Sequence, residues 1–175
     1  MEMPGDLEVN GLRLSLEPSG AGKGIRPVIH GGDVTMPNDG FVKIVTHFLG
    51  GDIVVPRVKL RFVSCALTDG GADLALRVKR GLLDQKVRLR LGLEPAGNGD
   101  LRVNIERVDV GRLPAGWLLD FVLGAVERVD GLRKSGARSI DINLPVLLAS
   151  HDVPVDISTG VSAVEATASA LTIRF

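Results

Sequence analysis

The fold is decided by residues 74–105, where apolar and charged side chains alternate in three successive runs. These runs are Leu74-Ala75-Leu76-Arg77-Val78-Lys79, Val87-Arg88-Leu89-Arg90-Leu91 and Leu101-Arg102-Val103-Asn104-Ile105. A period of two is typical of strands that bury one face and expose the other. Turn-forming residues such as Gly81, Asp84 and Pro95 separate the runs. The sequence therefore predicts an antiparallel meander with one apolar face and one charged face.

Two changes of phase indicate bulges within these strands. Apolar residues occupy even-numbered positions up to Phe62 and odd-numbered positions from Val63, and a similar shift separates Ile105 from Val108. A bulge adds one residue to a strand and bends it. The predicted sheet is therefore curved.

Two segments change to the spacing of a helix. The stronger is an apolar stripe that predicts a helix of about seventeen residues, ~25 Å long, over residues 113–129. The weaker predicts a helix that is capped at Asn38 or Asp39 and ends at residue 50. A third, short helical turn is predicted around residues 146–149.

These patterns predict an α+β fold in which a curved, mostly antiparallel β-sheet meander wraps around one long amphipathic helix, with one shorter helix beside it. The 175 residues suit one domain, and no Pro-rich or Ser-rich linker divides them. We expect a single domain over residues 1–175. The hydrophobic content of 45% can build a core, and the one cysteine, Cys65, fits a buried and unreactive thiol.

Composition argues against several classes of partner and location. The 21 basic and 21 acidic residues cancel, and aromatic residues make up only 3% of the chain, so neither a global field nor base stacking favours nucleic acid. The first residues lack the basic and apolar segments of a secretory signal, and no apolar run approaches the ~18 residues of a membrane span. We therefore expect a cytoplasmic protein, unless a leader has been removed.

No catalytic or metal-binding motif has the required spacing. Gly24 stands where a phosphate loop needs Ser or Thr, and the segment around Ser162 lacks the second glycine of a nucleophile elbow. His30, His47 and His151 are far apart and have no His or Cys partner at ligand spacing. The sequence predicts no catalytic residue, no metal site and no cofactor. An enzyme is the least favoured class, although a pocket gathering His151 with carboxylates would revive it.

Basic residues concentrate in the meander. Residues 57–112 hold twelve of the 21 basic side chains but only seven of the 21 acidic ones. Those that alternate on the charged face form a predicted basic patch for lipid headgroups: Lys59, Arg61, Arg77, Lys79, Arg88 and Arg90. An anionic membrane surface would attract such a patch by about 1 kcal/mol per basic residue. The alternative is a solvated face that serves solubility and protects strand edges.

The order of the elements resembles a known family. Three segments around the meander carry the pattern: Pro37-Asn38-Asp39-Gly40, Val108-Asp109-Val110-Gly111-Arg112-Leu113-Pro114 and Ile140-Asp141-Ile142-Asn143-Leu144-Pro145. Over most of the chain this order resembles the bacterial LmeA-like phospholipid-binding family and its YpmS-like relatives. The resemblance implies a small tubular lipid-binding domain, in which acyl chains lie between a curved sheet and a long helix. Many members are exported or membrane-tethered, which differs from the location expected here.

The leading hypothesis is a non-enzymatic lipid-binding domain that holds or contacts phospholipid acyl chains in an apolar cavity. Its predicted lipid-binding residues combine the apolar sheet face with the helix stripe: Leu76, Val78, Leu89, Leu91, Val103, Trp117, Leu118, Phe121, Val122 and Ala125. The alternative is a structural or protein-interaction module with a filled core, in which the stripe only packs against the sheet. A sheet edge would then pair with another protein or with a second copy as a homodimer.

Overall fold

The computed structural model describes residues 8–18, 25–49, 52–55, 58–111, 115–126, 129–150 and 155–175. In chain order, the elements of these residues are β1 (Glu8–Pro18), β2 (Ile25–Pro37), α1 (Asn38–Leu49), β3 (Asp52–Val55), β4 (Val58–Thr68), β5 (Gly71–Arg80), β6 (Leu83–Pro95), β7 (Leu101–Asp109), α2 (Ala115–Val126), β8 (Leu132–Lys134), β9 (Ser139–Ile142), α3 (Leu144–Ser150), β10 (Asp156–Ile157), β11 (Ala163–Ala166) and β12 (Ala170–Arg174).

The described strands form two sheets. In the seven-stranded sheet the order is β3-β4-β5-β6-β7-β9-β8, and all neighbours are antiparallel. In the five-stranded sheet the order is β1-β2-β12-β11, also antiparallel, and the short strand β10 pairs with β2 in parallel. The predicted α+β fold with a mostly antiparallel meander, here β4 to β7, is confirmed.

Both predicted bulges are present. The pairing of β4 with β5 shifts between Phe62 and Ser64, so that Val63 is the extra residue. The pairing of β6 with β7 shifts in the same way, and Glu106 is the extra residue between Ile105 and Arg107. Each extra residue reverses which of the following side chains face the core. The phase changes in the sequence follow directly from this reversal.

Apolar side chains fill two clusters. The larger lies between the seven-stranded sheet and α2 and includes Val78 and Leu123, which are 1% and 0% exposed. The smaller joins Leu67 of β4 to Leu171 of β12, and α1 packs against it through Phe41. The seven-stranded sheet is therefore covered in two parts, by α2 and by α1 together with the five-stranded sheet.

The prediction of one long amphipathic helix is wrong. Both α1 and α2 have twelve residues, so α2 is ~18 Å long. By Val129 the chain has entered a turn in which the Leu132 amide donates to the Val129 carbonyl at 3.1 Å, and Gly131 has a φ of +85°. One long helix is not needed to cover the seven-stranded sheet, because α1 and the five-stranded sheet cover the part of it that α2 does not contact. Within the described ranges, no helix is both long and apolar enough to span a bilayer.

Candidate functional site

The predicted apolar sheet residues lie on the core face of the meander. Leu76, Val78 and Leu89 are buried in the cluster that α2 closes. Leu91 is half-buried against the same cluster, and Val103 is half-buried. At these positions the core face is packed with the protein's own side chains.

Among the described side chains, helix α2 contacts the core through two residues outside the predicted stripe and one within it. Leu119 and Leu123 are buried in the larger cluster, whereas Val122 is half-buried against it. Asp120 is the only charged residue of α2, so apolar spacing could not single out the face that packs. The side chains of four further stripe residues lie outside the described part of the chain: Trp117, Leu118, Phe121 and Ala125.

The predicted basic patch occupies the opposite side of the meander, which we call the outer face. On β4 and β5, Lys59 pairs with Lys79 and Arg61 pairs with Arg77. Like charges directly opposite each other repel, so these pairs are maintained by the rest of the sheet and by solvent. Of these four cations, Arg77 also forms an ion pair with Asp84.

Strand β6 extends the outer face. Arg77 lies opposite Lys86, and Ala75 lies opposite Arg88. Because side chains alternate along a strand, Lys86, Arg88 and Arg90 project on the same side. Lys86 belongs to the same charged row, although the predicted patch did not include it.

A cavity of about 860 Å³ opens on the outer face. Six charged residues line it and define what we call the cationic cavity: Lys86, Arg88, Arg90, Arg107, Asp73 and Asp109. Ser64, Ala66 and Ala75 line it as well, and they are much shorter than the basic side chains around them. Short residues between long ones on a sheet leave a depression. The cavity is partly open to solvent, so a ligand can enter it directly.

Two of the four cations in the cationic cavity are held by acidic partners. Arg90 donates to Asp73 Oδ1 at 3.2 Å and to the Asp69 carbonyl at 2.9 Å. Arg107 donates to Asp109 Oδ1 at 3.2 Å. Counting only partners among the described residues, Lys86 and Arg88 have no hydrogen bond or ion pair. The cavity therefore has an excess of positive charge, which it can use to bind an anion.

Comparisons with family models, with curated proteins and with solved structures find no match. The resemblance to the LmeA-like family stays a prediction.

The cationic cavity lacks an activated nucleophile among the residues that line it. Cys65 is one of the lining residues, and burial raises the pKa of the Cys65 thiol. A thiol with a raised pKa is mostly protonated at neutral pH and is a weak nucleophile. Beside the cavity, the hydrogen bond from Arg77 to Asp84, at 2.6 Å, lowers the pKa of the Asp84 carboxyl and raises that of Arg77. Both groups are therefore charged at neutral pH.

His30 lies in a polar cluster that the sequence did not indicate. Its Nε2 is 2.6 Å from Ser15 Oγ, and its Nδ1 is 2.8 Å from Ser158 Oγ. Glu17 is 3.9 Å away, on the Nε2 side. A serine nucleophile relay needs a carboxylate that orients the ring through Nδ1, and here a serine takes that position. The cluster therefore links β1 and β2 to the segment after β10. His151 lies outside the described residues.

A buried carboxylate at the far end of the outer face forms the strongest ion network in the described structure. Asp141 is 2% exposed and accepts hydrogen bonds from Arg102 at 2.7 and 3.1 Å, from Arg133 at 3.2 Å and from Ser135 at 2.8 Å. The bond from Arg102, above all, lowers the Asp141 pKa to about 2. With its acceptors occupied, Asp141 ties β7, β8 and β9 together. It has no lone pair available for a ligand, so its role is structural.

Metal binding finds no support in these side chains. In the ranges that the structure describes, no group of three or more His, Cys, Asp or Glu residues is arranged to hold a metal ion. The candidate functional site is thus the cationic cavity and the basic residues around it.

Proposed function

We propose that this protein is a non-enzymatic phospholipid-binding domain whose outer face meets anionic headgroups. The observation that carries the proposal is the excess positive charge of the cationic cavity, where Lys86 and Arg88 have no partner among the described residues. Cations that the protein does not neutralise itself form strong hydrogen bonds with external anions. Each basic residue near an anionic bilayer contributes about 1 kcal/mol of attraction.

The chemistry of the cavity supports binding rather than catalysis. Its two carboxylates, Asp73 and Asp109, are each engaged by an arginine. A general acid or base has to be accessible to a substrate proton, and an arginine in that place competes with the substrate. The raised pKa of Cys65 disfavours nucleophilic attack. Such a site suits an anion that is held and released unchanged.

Acyl chains would contact a different part of the protein. The outer face and α2 lie on opposite sides of strands β4 to β7, so one headgroup and its chains cannot reach both through the sheet. Apart from Asp120, α2 carries no charge, and its described core contacts come from Leu119, Val122 and Leu123. We assign the proposed acyl contacts to the remaining apolar positions of the stripe, which are 117, 118, 121 and 125.

Two measurements test the acyl contacts. Native mass spectrometry followed by organic extraction should reveal phospholipid bound to the purified protein. Trp117 is the only tryptophan of the chain, so its fluorescence reports on α2 alone. Phospholipids with brominated acyl chains should quench it on binding. A lipid-free protein with unquenched Trp117 would exclude acyl contact at α2.

Vesicle binding tests the headgroup contact. We expect the protein to sediment with vesicles of phosphatidylcholine and phosphatidylglycerol but not with phosphatidylcholine alone. Because the attraction is electrostatic and screened beyond about 10 Å at 0.1 M salt, binding should weaken as salt is added. Equal binding to both kinds of vesicle, or to neither, would contradict the proposal.

A protein-interaction module is the second candidate, and one observation favours it. β1 is at the edge of the five-stranded sheet and exposes Leu14 and Leu16, at 48% and 67%. An exposed edge strand with apolar side chains is a template for pairing with another strand. A homodimer formed this way should become monomeric in Leu16→Lys, as measured by analytical ultracentrifugation. Leu82→Lys, in an exposed turn, is the control.

A further inference from the structure

The cationic cavity differs from the rest of the outer face in having a discrete shape and a defined charge. Arg90 is neutralised by Asp73, with Glu106 also 3.9 Å away, and Arg107 is neutralised by Asp109. Lys86 and Arg88 remain, so the excess of the lining residues is two positive charges. Elsewhere on this face, Arg77 is neutralised by Asp84.

Lys86 and Arg88 are placed so that both can reach one anion. They are two residues apart on β6 and project on the same side, which sets their backbones about 7 Å apart. Both side chains are long enough to converge over that distance. Ser64 lies in the same cross-strand row as Arg88, through Ala75, and adds a hydroxyl donor to the lining. Arg88 offers the forked N–H groups of a guanidinium, Lys86 a compact positive charge and Ser64 a neutral hydroxyl donor.

This combination matches a phosphate with two negative charges. A phosphate monoester carries about −1.5 to −2 charges at pH 7 and three strong acceptor oxygens. The phosphodiester of phosphatidylglycerol carries a single charge. Arginine binds phosphate through two parallel N–H groups, and lysine adds a compact charge beside it. The cavity volume of about 860 Å³ exceeds that of a bare phosphate, which leaves room for the glycerol part of a headgroup.

We propose that the cationic cavity is a specific site for the phosphomonoester headgroup of a membrane lipid, held by Lys86 and Arg88. The inference rests on the proposed function, because it takes a membrane as the source of the ligand. It goes beyond that function by predicting a preference among anionic lipids. A merely charged surface would bind all of them according to their charge density.

The test compares vesicles of phosphatidylcholine with either phosphatidic acid or phosphatidylglycerol, adjusted to equal surface charge. We expect wild type to bind the phosphatidic acid vesicles about tenfold more tightly, the value of one additional charge-assisted contact. Arg88→Ala and Lys86→Ala should each abolish this preference. Arg61→Ala is the matched control, since it removes one charge from the same face but outside the cavity. It should weaken binding to both vesicles slightly and keep the preference.

The possible failures are distinguishable. If wild type binds both anionic vesicles equally, or if Arg61→Ala loses the preference as Arg88→Ala does, the specific site is overturned while general binding of anionic lipid stands. If neither vesicle is bound, the proposed function itself fails. Soluble glycerol 3-phosphate, titrated by NMR, separates the two sources of phosphate. Arg88-dependent binding of this ester without vesicle binding would overturn the lipid headgroup as the ligand.

Discussion

The two faces of strands β4 to β7 are built from alternate residues of the same short segments, yet they are suited to different tasks. On the core face, Leu76, Val78 and Leu89 pack with α2, and all three side chains are buried. On the outer face, the intervening Arg88 and Arg90 surround a cavity. Stability is concentrated on one face and unneutralised charge on the other. Substitutions on the two faces should therefore separate folding from binding.

The largest effect on folding should come from Leu123→Ala on α2. Leu123 is fully buried, and its truncation leaves a cavity in the larger cluster. We expect the free energy of unfolding to fall by about 3–4 kcal/mol, as measured by urea denaturation. Leu82→Ala is the control, because Leu82 is fully exposed in the turn between β5 and β6. A similar loss for both variants would mean that α2 does not close the core.

The next largest effect should come from Asp141→Asn, which keeps the shape but removes the charge. Arg102 and Arg133 would lose their common carboxylate. Both arginines are partly exposed, so water offsets some of the loss. We expect destabilisation of about 2–3 kcal/mol, at or below the lower limit of the roughly 3–5 kcal/mol that breaking a fully buried ion pair costs. A neutral effect in the same urea titration would show that Asp141 does not tie β7, β8 and β9 together.

Acid should remove the contribution of Asp141 in a defined range. Its folded pKa, about 2, is below the ordinary value of 3.8, so the folded state binds this proton less readily than the unfolded state. The stabilisation is complete above about pH 5 and is lost as the pH falls toward 2. Between these limits, the stability difference between wild type and Asp141→Asn should shrink by about 2 kcal/mol. A difference that is constant with pH would contradict the network.

The smallest effect on folding should be that of Arg88→Ala. Arg88 is exposed, and among the described side chains it has no hydrogen-bonding partner. Its removal should change the free energy of unfolding by less than about 0.5 kcal/mol. The same variant should bind anionic vesicles several-fold more weakly than wild type, because one basic residue contributes about 1 kcal/mol of attraction. A large destabilisation would mean that the outer face contributes to folding, and would remove the separation between the two faces.

Much of this contrast is present in the sequence, because alternation is a local property. The alternation of apolar and charged residues predicted the meander, its apolar core face and its charged outer face. The phase changes at Val63 and near Glu106 predicted the bulges. The length of α2 could not be predicted, since it depends on how much of the sheet α1 and the second sheet cover. The sequence could not show which face of α2 is buried, because nearly every residue of α2 is apolar.

The ion network and the cavity depend on long-range pairing. Asp141 meets Arg102 across β9 and β7, and the two are far apart in the chain. The one local signal was a charged residue between two isoleucines, which indicated a polar face but no partner. In the same way, the cavity forms because Ala75 lies beside Arg88 across two strands. Neither the pairing of Asp141 with Arg102 nor that of Ala75 with Arg88 can be identified without the register of the strands.

We expect the outer face, and not the overall charge, to bind anionic lipid. The most direct test compares Arg88→Glu with Lys43→Glu in partitioning onto vesicles of phosphatidylcholine and phosphatidylglycerol. Both variants change the net charge equally, but Lys43 is exposed on α1, which packs on the core side of the sheet. We expect Arg88→Glu to lose at least about tenfold in partitioning, and Lys43→Glu to stay within about twofold of wild type. Equal losses in the two variants, or no loss in Arg88→Glu, would contradict the account.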